Sequence, residues 1–450
     1  MADETGASVD VVPGAPRAPI TTWRRLYNIL GGSAGNFVEW FDWFVYGSFA
    51  IYFSSSFFVD DDPAGELWKT MSVFGIGFLA RPVGAFIMGK YADIRGRRAA
   101  LSLSVMMMCG GSLLIALTPT YAWFEANVGA GWLAAMVLII ARLLQGLSVG
   151  GEYGASATYV SEMASKQNRG FWSGFLYVTL IGGQLAAVAL LRVLLGLLGE
   201  DALNEWAWRI PFVVGAALAV VVFWIRRGIH ETSSFENATK EAPQDRGKTM
   251  MLFTKYPKET FWVVVLTAGG GVGFYTYTTY MTQFLINTAG FADKVAANIM
   301  LVVLFLFMCA QPLFGWISDR VGRRPLMMLS FGGGALLAVP IMTAISRADS
   351  FGTAVVLCLV PLLVLSGYTS LSAIFKAELF PAHVRALGVA LPYSIAQALF
   401  GGQAATAANW FKDAGNEFAY YWVMAGILAC GFVVVLMMRE SMKHTMIKED

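Results

Sequence analysis

The sequence predicts an all-α membrane protein of twelve transmembrane helices in two related six-helix bundles. Of the 450 residues, 57% are hydrophobic and 14% are charged, and the mean hydropathy of +0.59 is too high for a soluble globule. The charged residues are gathered into short links between apolar runs. One basic link, residues 89–98, recurs at 315–324 with the same spacing of glycine, aspartate and arginine.

Twelve apolar runs are long enough to cross the hydrocarbon of a bilayer, which takes about 20 residues. Backbone inside a membrane must be helical or form a closed barrel, and these runs are too long for barrel strands, so we expect helices. The approximate bounds are 27–55, 67–91, 99–118, 131–160, 171–198, 208–227, 259–287, 295–316, 326–346, 353–376, 386–410 and 418–438.

A second repeated pair indicates an internal duplication. Glu162 stands seven residues before Arg169, and Glu378 stands seven residues before Arg385. Two motifs that recur in the same order predict two related halves, an arrangement found in many membrane transporters. The expected divisions are a disordered cytoplasmic tail at 1–25, an N-terminal bundle at 26–227, a cytoplasmic link at 228–258, a C-terminal bundle at 259–438 and a cytoplasmic tail at 439–450.

The distribution of charge predicts orientation and excludes several function classes. Most Lys and Arg residues fall in alternate links and in the two tails, whereas the opposite links are acidic, as at 60–62. The positive-inside rule then predicts that both termini are cytoplasmic. A net charge of +2 gives no reason to expect nucleic acid as a partner. The four cysteines and three histidines form no cluster, so we expect no metal, no cofactor and no enzymatic site.

Several stretches carry a resemblance to a known family. The paired basic links resemble the signature loops of the major facilitator superfamily, and residues 35–42, 142–153, 205–212 and 376–388 resemble its metabolite:proton symporter branch. Within that branch, residues 157–162, 177–184, 277–281 and 287–290 are most similar to the α-ketoglutarate permeases. The resemblance implies a twelve-helix carrier that works by alternating access between its halves.

Two carboxylates in the first span are candidates for the proton site. Glu39, Asp42 and Tyr46 fall at i, i+3 and i+7, on one face of the helix. A charge at the centre of a span costs about 2.5–3.5 kcal/mol on insertion scales, so a carboxylate there needs a partner or a purpose. One interpretation is a group that takes up and releases a proton, and the other is a permanent ion pair. The resemblance favours Asp42, with Glu39 as the alternative.

Arg142 and Gln145 in the fourth span are expected to face these carboxylates, because the fold that the chain resembles places the two helices against each other. An arginine that moves towards and away from a carboxylate would couple protonation to conformation. The structural alternative is that Arg142 only neutralises a buried acid. Glu152, which lies on another face of the same helix, is expected to belong to an ion-pair network.

Arg81 in the second span is the best candidate for binding a substrate carboxylate, since a guanidinium binds a carboxylate through two parallel hydrogen bonds. The alternative is an ion pair with an acid on the fourth or eleventh span. Lys376 is expected to pair with Glu378. Other polar side chains at mid-span depth are candidates to orient substrate oxygens, although buried tyrosines often only pack. These candidates are Tyr46, Gln145, Gln184, Tyr277, Tyr280 and Gln397.

The basic links are candidates for gates between the halves. We expect Asp93 and Asp319 to cap neighbouring helix N-termini, and Arg97 and Arg323 to reach Glu162, Glu378 or anionic headgroups. The repeated Glu-to-Arg spacing adds Arg169 and Arg385 to this set. The alternative is that the arginines only set topology.

The resemblance and these residues together predict a proton-driven importer of a small dicarboxylate, α-ketoglutarate first, in the inner membrane of a bacterium. Alternative cargoes are citrate, another carboxylate or a zwitterionic osmolyte, and a rival of another class is a transporter-like metabolite receptor. The expected partners are the small carboxylate, the proton and the lipid bilayer, with no obligate protein partner.

Overall fold

The computed structural model describes residues 22–59, 63–241, 244 and 246–447. Four predicted features therefore lie wholly or partly outside the described residues. They are the first 21 residues of the predicted N-terminal tail, the acidic link at 60–62, residues 242, 243 and 245 of the predicted cytoplasmic link, and the end of the C-terminal tail at 448–450.

The described chain contains nineteen α-helices and three π-helical turns, and no strand occurs in it. The first-half helices are α1 (Thr22–Phe57), α2 (Pro63–Arg95), α3 (Arg97–Leu117), α4 (Tyr121–Val128), α5 (Trp132–Met163), α6 (Arg169–Glu205) and α7 (Ile210–Arg227). The link carries α8 (Ser233–Glu241) and α9 (Met250–Thr254). The second-half helices are α10 (Pro257–Tyr275), α11 (Met281–Asn287), α12 (Asp293–Val321), α13 (Arg323–Met328), α14 (Gly334–Ile345), α15 (Phe351–Thr369), α16 (Ser372–Leu379), α17 (Arg385–Ala396), α18 (Ala404–Asp413) and α19 (Glu417–Met437).

These helices form twelve spans. The first six are α1, α2, α3, α5, α6 and α7, and the last six are α10 with α11, α12, α13 with α14, α15 with α16, α17 with α18, and α19. Within the described chain, nine spans meet the length and hydropathy required to cross a membrane. The other three are α1, which carries Glu39 and Asp42, and the seventh and eleventh spans, which a π turn interrupts. Helix α1 begins at Thr22, inside the segment predicted as tail.

The packing repeats between the halves, and the predicted pair of six-helix bundles is confirmed. In the first half, span 1 packs on span 5, span 2 on span 4, and span 3 on span 6. In the second half the same pattern joins spans 7 and 11, 8 and 10, and 9 and 12. The halves meet where span 2 packs on span 11 and span 5 packs on span 8.

Glycines in α5 set the position of α2, which carries Arg81. A Cβ atom added to Gly146 would clash with the carbonyl oxygen of Gly77, and one added to Gly150 would clash with that of Arg81. Small residues at a spacing of four let two membrane helices approach closely. The backbone of Arg81 is therefore held directly against α5, which fixes the position from which its side chain extends.

Three π turns interrupt spans of the second half: Thr276–Tyr280, Leu329–Gly333 and Gln397–Gly401. Such turns often mark functional positions in helices. The glycine run 269–273 remains helical, and the departure from α geometry follows directly after Tyr275.

Candidate functional site

Asp42 lies at the centre of a hydrogen-bonded cluster inside the first half. Its carboxylate is fully buried and accepts hydrogen bonds from Ser112 Oγ at 2.5 Å and from Gln145 Nε2 at 2.5 Å. Arg142 Nη1 donates to Gln145 Oε1 at 2.7 Å. Arg142 and Asp42 form no ion pair among the described residues, so Gln145 joins the two charges.

Arg142 is held by aromatic rings. Its guanidinium carbon lies 4.2 Å from the ring centroids of both Trp43 and Tyr46. Its Nε and Nη2 atoms are buried without a hydrogen-bond partner in the described chain. The Tyr46 hydroxyl donates to the carbonyl oxygen of Thr70 at 2.9 Å. Tyr46 therefore packs on the arginine of the Asp42 cluster, with its hydroxyl already occupied.

Glu39 and Glu152 lie in a neighbouring polar region of the same half. Glu39 is 3% exposed and accepts a hydrogen bond of 3.5 Å from Ser148 Oγ. Glu152 forms a buried ion pair with Arg226 and accepts hydrogen bonds from serine side chains. The expected ion-pair network of Glu152 is confirmed. Among the described residues, Glu39 has no such ion pair.

Arg81 is a buried cation with unused hydrogen-bond donors. Its guanidinium carbon lies 4.0 Å from the Trp43 ring centroid and 4.1 Å from that of Phe78. Its Nε and Nη2 atoms have no hydrogen-bond partner in the described chain, and the side chain is 2% exposed. Tyr275 of the second half lies within hydrogen-bonding reach. The alternative of an ion pair with an acid of the fourth or eleventh span is not found among the described residues.

The predicted pairing of Lys376 with Glu378 is wrong. Lys376 Nζ donates to Tyr153 Oη at 3.0 Å and to Ser372 Oγ at 2.8 Å. Glu378 instead lies 3.7 Å from Arg323 Nη2 and accepts a hydrogen bond from a serine of the C-terminal segment. Residues two apart on a helix point about 200° apart, so Lys376 and Glu378 cannot face the same partner.

The remaining substrate candidates fall into two groups. Gln184 and Gln397 are buried, and the Oε1 atom of each has no hydrogen-bond partner in the described chain. Gln397 lies one helical turn from Tyr393, and Tyr393 lies close to Arg81. Tyr277 and Tyr280 face the interior of the second half, where Tyr280 Oη donates to a glutamate of α19 at 2.8 Å. The structure thus brings Gln397 towards Arg81 but not these two tyrosines.

The basic links join the two halves at one end of the bundle, which we call the basic-loop end: the ends of α2, α5, α12 and α16 with the links that follow them. Asp93 accepts hydrogen bonds from the backbone N–H groups of Ala386 (3.1 Å) and Leu387 (3.0 Å), at the start of α17. Asp319 does the same for Gly170 (2.8 Å) and for the next residue (2.9 Å), at the start of α6. Each aspartate therefore caps a helix of the opposite half, as predicted.

Buried ion pairs reinforce these caps. Glu162 lies 3.3 Å from Arg97 Nη2 and 2.5 Å from Arg385 Nη1, so one carboxylate bridges the first and second halves. Arg97 also lies 3.4 Å from Asp93. On the other side, Arg323 pairs with Asp319 at 2.8 Å and with Glu378 at 3.7 Å. Arg169 is buried next to Glu378.

A sequence model of the family described as "Major Facilitator Superfamily" matches residues 32–405. The chain belongs to this superfamily. It is therefore a multi-pass membrane protein, and its relatives are transporters rather than enzymes.

Curated relatives and solved structures agree with that membership. The chain is 46% identical over 424 residues to "Alpha-ketoglutarate permease" of Escherichia coli K12, covering 94% of this chain and 95% of the relative. It is 32% identical to "Citrate-proton symporter" of Salmonella typhi, covering 91% and 93%. The superfamily proton:xylose symporter XylE superposes with a TM-score of 0.75 at 16% identity, covering 91% of this chain and 95% of XylE. At that identity the likeness to XylE shows the fold alone.

The sequence analysis did not predict the roles of several residues of this superfamily member. Glu231 accepts a hydrogen bond from the Arg98 backbone N–H at 3.1 Å, and Glu440 accepts from that of Arg324 at 3.0 Å, so each caps the helix after a basic link. The signal was present: a glutamate followed by a hydroxyl residue stands after the sixth span and again after the twelfth. Ser112, by contrast, carries no pattern that sets it apart from other serines.

Proposed function

We propose that the protein is a proton-coupled symporter that imports α-ketoglutarate or a related dicarboxylate by alternating access. The observation that carries the proposal is Arg81, a buried guanidinium with two unpartnered N–H groups beside the contact between the halves. A buried cation with unused donors is costly unless an anion completes it. A substrate carboxylate has the charge and the planar pair of oxygens that a guanidinium binds. The 46% identical relative is named for α-ketoglutarate.

Asp42 is the proposed proton carrier, and Glu39 is the alternative. Asp42 is buried, accepts two hydrogen bonds and has no cation in direct contact within the described chain. Its ionised form is stabilised by hydrogen bonds from Ser112 and Gln145 and by the charge of the nearby Arg142, which makes no direct ion pair with it, so a proton can bind without breaking an ion pair. Trp43 contacts both Arg81 and Arg142, which links the substrate cation to the Asp42 cluster.

The charge of the substrate makes coupling necessary. Moving one negative charge inward against an inside-negative potential costs about 2.3 kcal/mol per 100 mV, and a dianion costs about twice that. Accumulation therefore requires positive charge to travel with the substrate. Two protons with the dianion, or one proton with the monoanion, make the step electroneutral.

The contacts at the basic-loop end are the proposed inner gate. Asp93, Asp319 and Glu162 each join groups of opposite halves, so these contacts must break when that end opens. The excess of basic residues at this end supports a cytoplasmic placement in a bacterial inner membrane, with both termini inside. We divide the chain into bundles at 26–227 and 259–438, joined by a link at 228–258, with tails at 1–25 and 439–450.

Citrate is the second candidate substrate, since a relative 32% identical to the chain is named as a citrate-proton symporter. A zwitterionic osmolyte is a third, and it fits the two buried arginines of the first half, Arg81 and Arg142, less well than an anion does. A transporter-like receptor would bind the same metabolite and move none of it.

The direct test is uptake of radiolabelled α-ketoglutarate into proteoliposomes that are acidic outside. We expect accumulation above equilibrium that a protonophore abolishes. Binding without uptake would indicate a receptor. Failure of the folded protein to take up α-ketoglutarate would overturn the substrate assignment, and the same vesicles would then be tested with citrate, other dicarboxylates and betaine.

A further inference from the structure

Lys376 lies in a cage of aromatic rings instead of beside an acid. Its Nζ atom lies 4.3 Å from the ring centroid of Tyr393 and 4.9 Å from that of Tyr153, with Phe375 at 5.5 Å and Tyr368 at 5.7 Å. The side chain is fully buried, and no carboxylate of the described chain lies within ion-pair distance. Aromatic faces attract a cation but leave its net charge uncompensated.

An intramembrane cation without a counter-ion is costly, and such residues commonly mark the path of a substrate or ion. The hydrogen bonds of Lys376 go to two neutral hydroxyl groups, Tyr153 Oη and Ser372 Oγ. Among the described residues, no carboxylate therefore balances its charge. The second half thus contains a buried cation without an ion-pair partner in the described chain, as the first half does at Arg81.

The two cations lie at different depths. With a rise of about 1.5 Å per residue, Arg81 lies about 21 Å from the basic-loop end of α2, and Lys376 lies about 5 Å from the corresponding end of α16. Tyr153 lies about 15 Å from the end of α5, and Tyr393 lies about 12 Å from the start of α17, both measured from the basic-loop end. Towards that end, the order along the bundle axis is therefore Arg81, the two tyrosines, and then the backbone of Lys376.

The two tyrosines close the boundary between the halves at this level. Tyr153 of the first half stacks on Tyr393 of the second half, with ring centroids 3.7 Å apart and planes 12° apart. Tyr153 Oη also lies 2.7 Å from Ser372 Oγ of the second half. Because these contacts cross between the halves, they must separate when the basic-loop end opens, and Lys376 then loses the partner supplied by Tyr153.

We propose that Lys376 is a second carboxylate-binding residue on the basic-loop side of the Tyr153–Tyr393 pair. This inference rests on the proposed function and refines it. Arg81 binds one carboxylate of the substrate, and Lys376 receives the other as the tyrosine pair separates. Recognition of two negative charges is then divided between the two halves, so a diacid is preferred over a monoacid of the same length.

The test compares two ligands that differ only at one end. α-Ketoglutarate and 2-oxovalerate share a five-carbon chain and a 2-oxo acid group, but 2-oxovalerate has a methyl group in place of the distal carboxylate. Affinities of the full-length purified protein would be measured by calorimetry for the wild type, Lys376→Gln and Lys376→Arg. Lys255→Gln, at an exposed lysine of the link, is the matched control.

We expect the wild type to prefer the diacid. Losing a hydrogen bond to a charged group weakens binding by about tenfold or more, so K376Q should weaken α-ketoglutarate by at least that factor. K376Q should change 2-oxovalerate by less than about twofold, whereas K376R and K255Q should keep the preference for the diacid.

An equal loss for both ligands in K376Q, or no loss for either, would overturn the inference. If Lys376 only holds Tyr153 and Ser372 together, Tyr153→Phe should reproduce the effect of K376Q, whereas the inference expects Y153F to retain the preference. A wild-type protein without preference for a diacid would show that the proposed function itself has failed, and that result is read before any variant is made.

Discussion

Arg142 reaches the Asp42 carboxylate through the side chain of Gln145 rather than directly. The Gln145 amide donates to Asp42 at 2.5 Å and accepts from Arg142 at 2.7 Å. A direct ion pair would hold the carboxylate in its charged form, whereas an amide can bond with either form by reorienting. This arrangement suits a carboxylate that must gain and lose a proton in every transport cycle.

The first prediction concerns Asp42→Asn, which keeps the shape of the side chain and one of its two acceptor oxygens but cannot take up and release a proton. We expect it to abolish accumulation driven by a pH gradient while retaining exchange of labelled for unlabelled substrate across proteoliposome membranes, since exchange needs no net proton movement. Asp349→Asn, at an exposed position, is the control. Gradient-driven accumulation by D42N at the wild-type level would move the proton site elsewhere, with Glu39→Gln as the next variant.

The second prediction concerns Arg81. Arg81→Lys keeps the charge but loses the planar pair of donors, and we expect it to weaken substrate binding by about tenfold, whereas Arg81→Ala should abolish detectable binding. Binding would be measured by calorimetry on the folded protein. Arg192→Ala removes an exposed arginine that bonds to Asn298 and should bind as the wild type does. Wild-type affinity in R81A would remove Arg81 from the substrate site.

The third prediction concerns the ion pairs at the basic-loop end. Glu162→Gln leaves the Arg97 and Arg385 guanidinium groups without their shared charge, and breaking a buried pair in this way costs about 3–5 kcal/mol. The cost falls on the closed arrangement, so that end should open more often. Hydrogen exchange should therefore become faster at the Ala386 and Leu387 amides, which Asp93 caps.

Glu205→Gln, at an exposed position remote from the basic links, is the control for that measurement. Exchange at residues 385–388 that is equally slow in E162Q and in the wild type would show that Glu162 does not hold the end closed.

The fourth prediction concerns pH and Glu231, which lies in the link outside the spans. Burial raises the pKa of the Glu231 carboxyl group. The folded protein then holds this proton more tightly than the unfolded chain does, so the stabilisation is present at low pH. This stabilisation is lost as the pH rises from the Glu231 pKa in the unfolded chain through the higher Glu231 pKa in the folded protein. We expect thermal stability in detergent to fall with pH across that window in the wild type and to fall less steeply in Glu231→Gln. Identical slopes would contradict this assignment.

Much of the fold and of the basic-loop end could be predicted from the sequence because both depend on local, repeated sequence patterns. The twelve apolar runs correspond to the twelve spans. The helix caps formed by Asp93 and Asp319 could be predicted because their motifs recur with the same spacing. The substrate region was less predictable, since it depends on which helix faces meet. Lys376 was assigned to Glu378 by proximity along the chain, although residues two apart cannot share a face of a helix.

The tyrosines of the seventh span illustrate the same limit. Tyr275 and Tyr277 are the same type of residue at nearly the same depth in the span. Only Tyr275 of the two lies within hydrogen-bonding reach of Arg81, and a π turn begins at the residue that follows it. A single π turn changes the direction of every side chain after it, and the sequence offers no pattern for where that turn begins. Ser112, which donates to Asp42, likewise became recognisable only once the third span was placed against the first.

The most direct test of the central claim is to drive the coupling in reverse, with a substrate gradient and no pH gradient. α-Ketoglutarate added outside proteoliposomes of equal internal and external pH should carry protons inward, so a pH-sensitive dye in the lumen should report acidification. The signal should be absent in D42N and in R81A. Entry of α-ketoglutarate through the wild-type protein without any change in luminal pH would contradict proton symport.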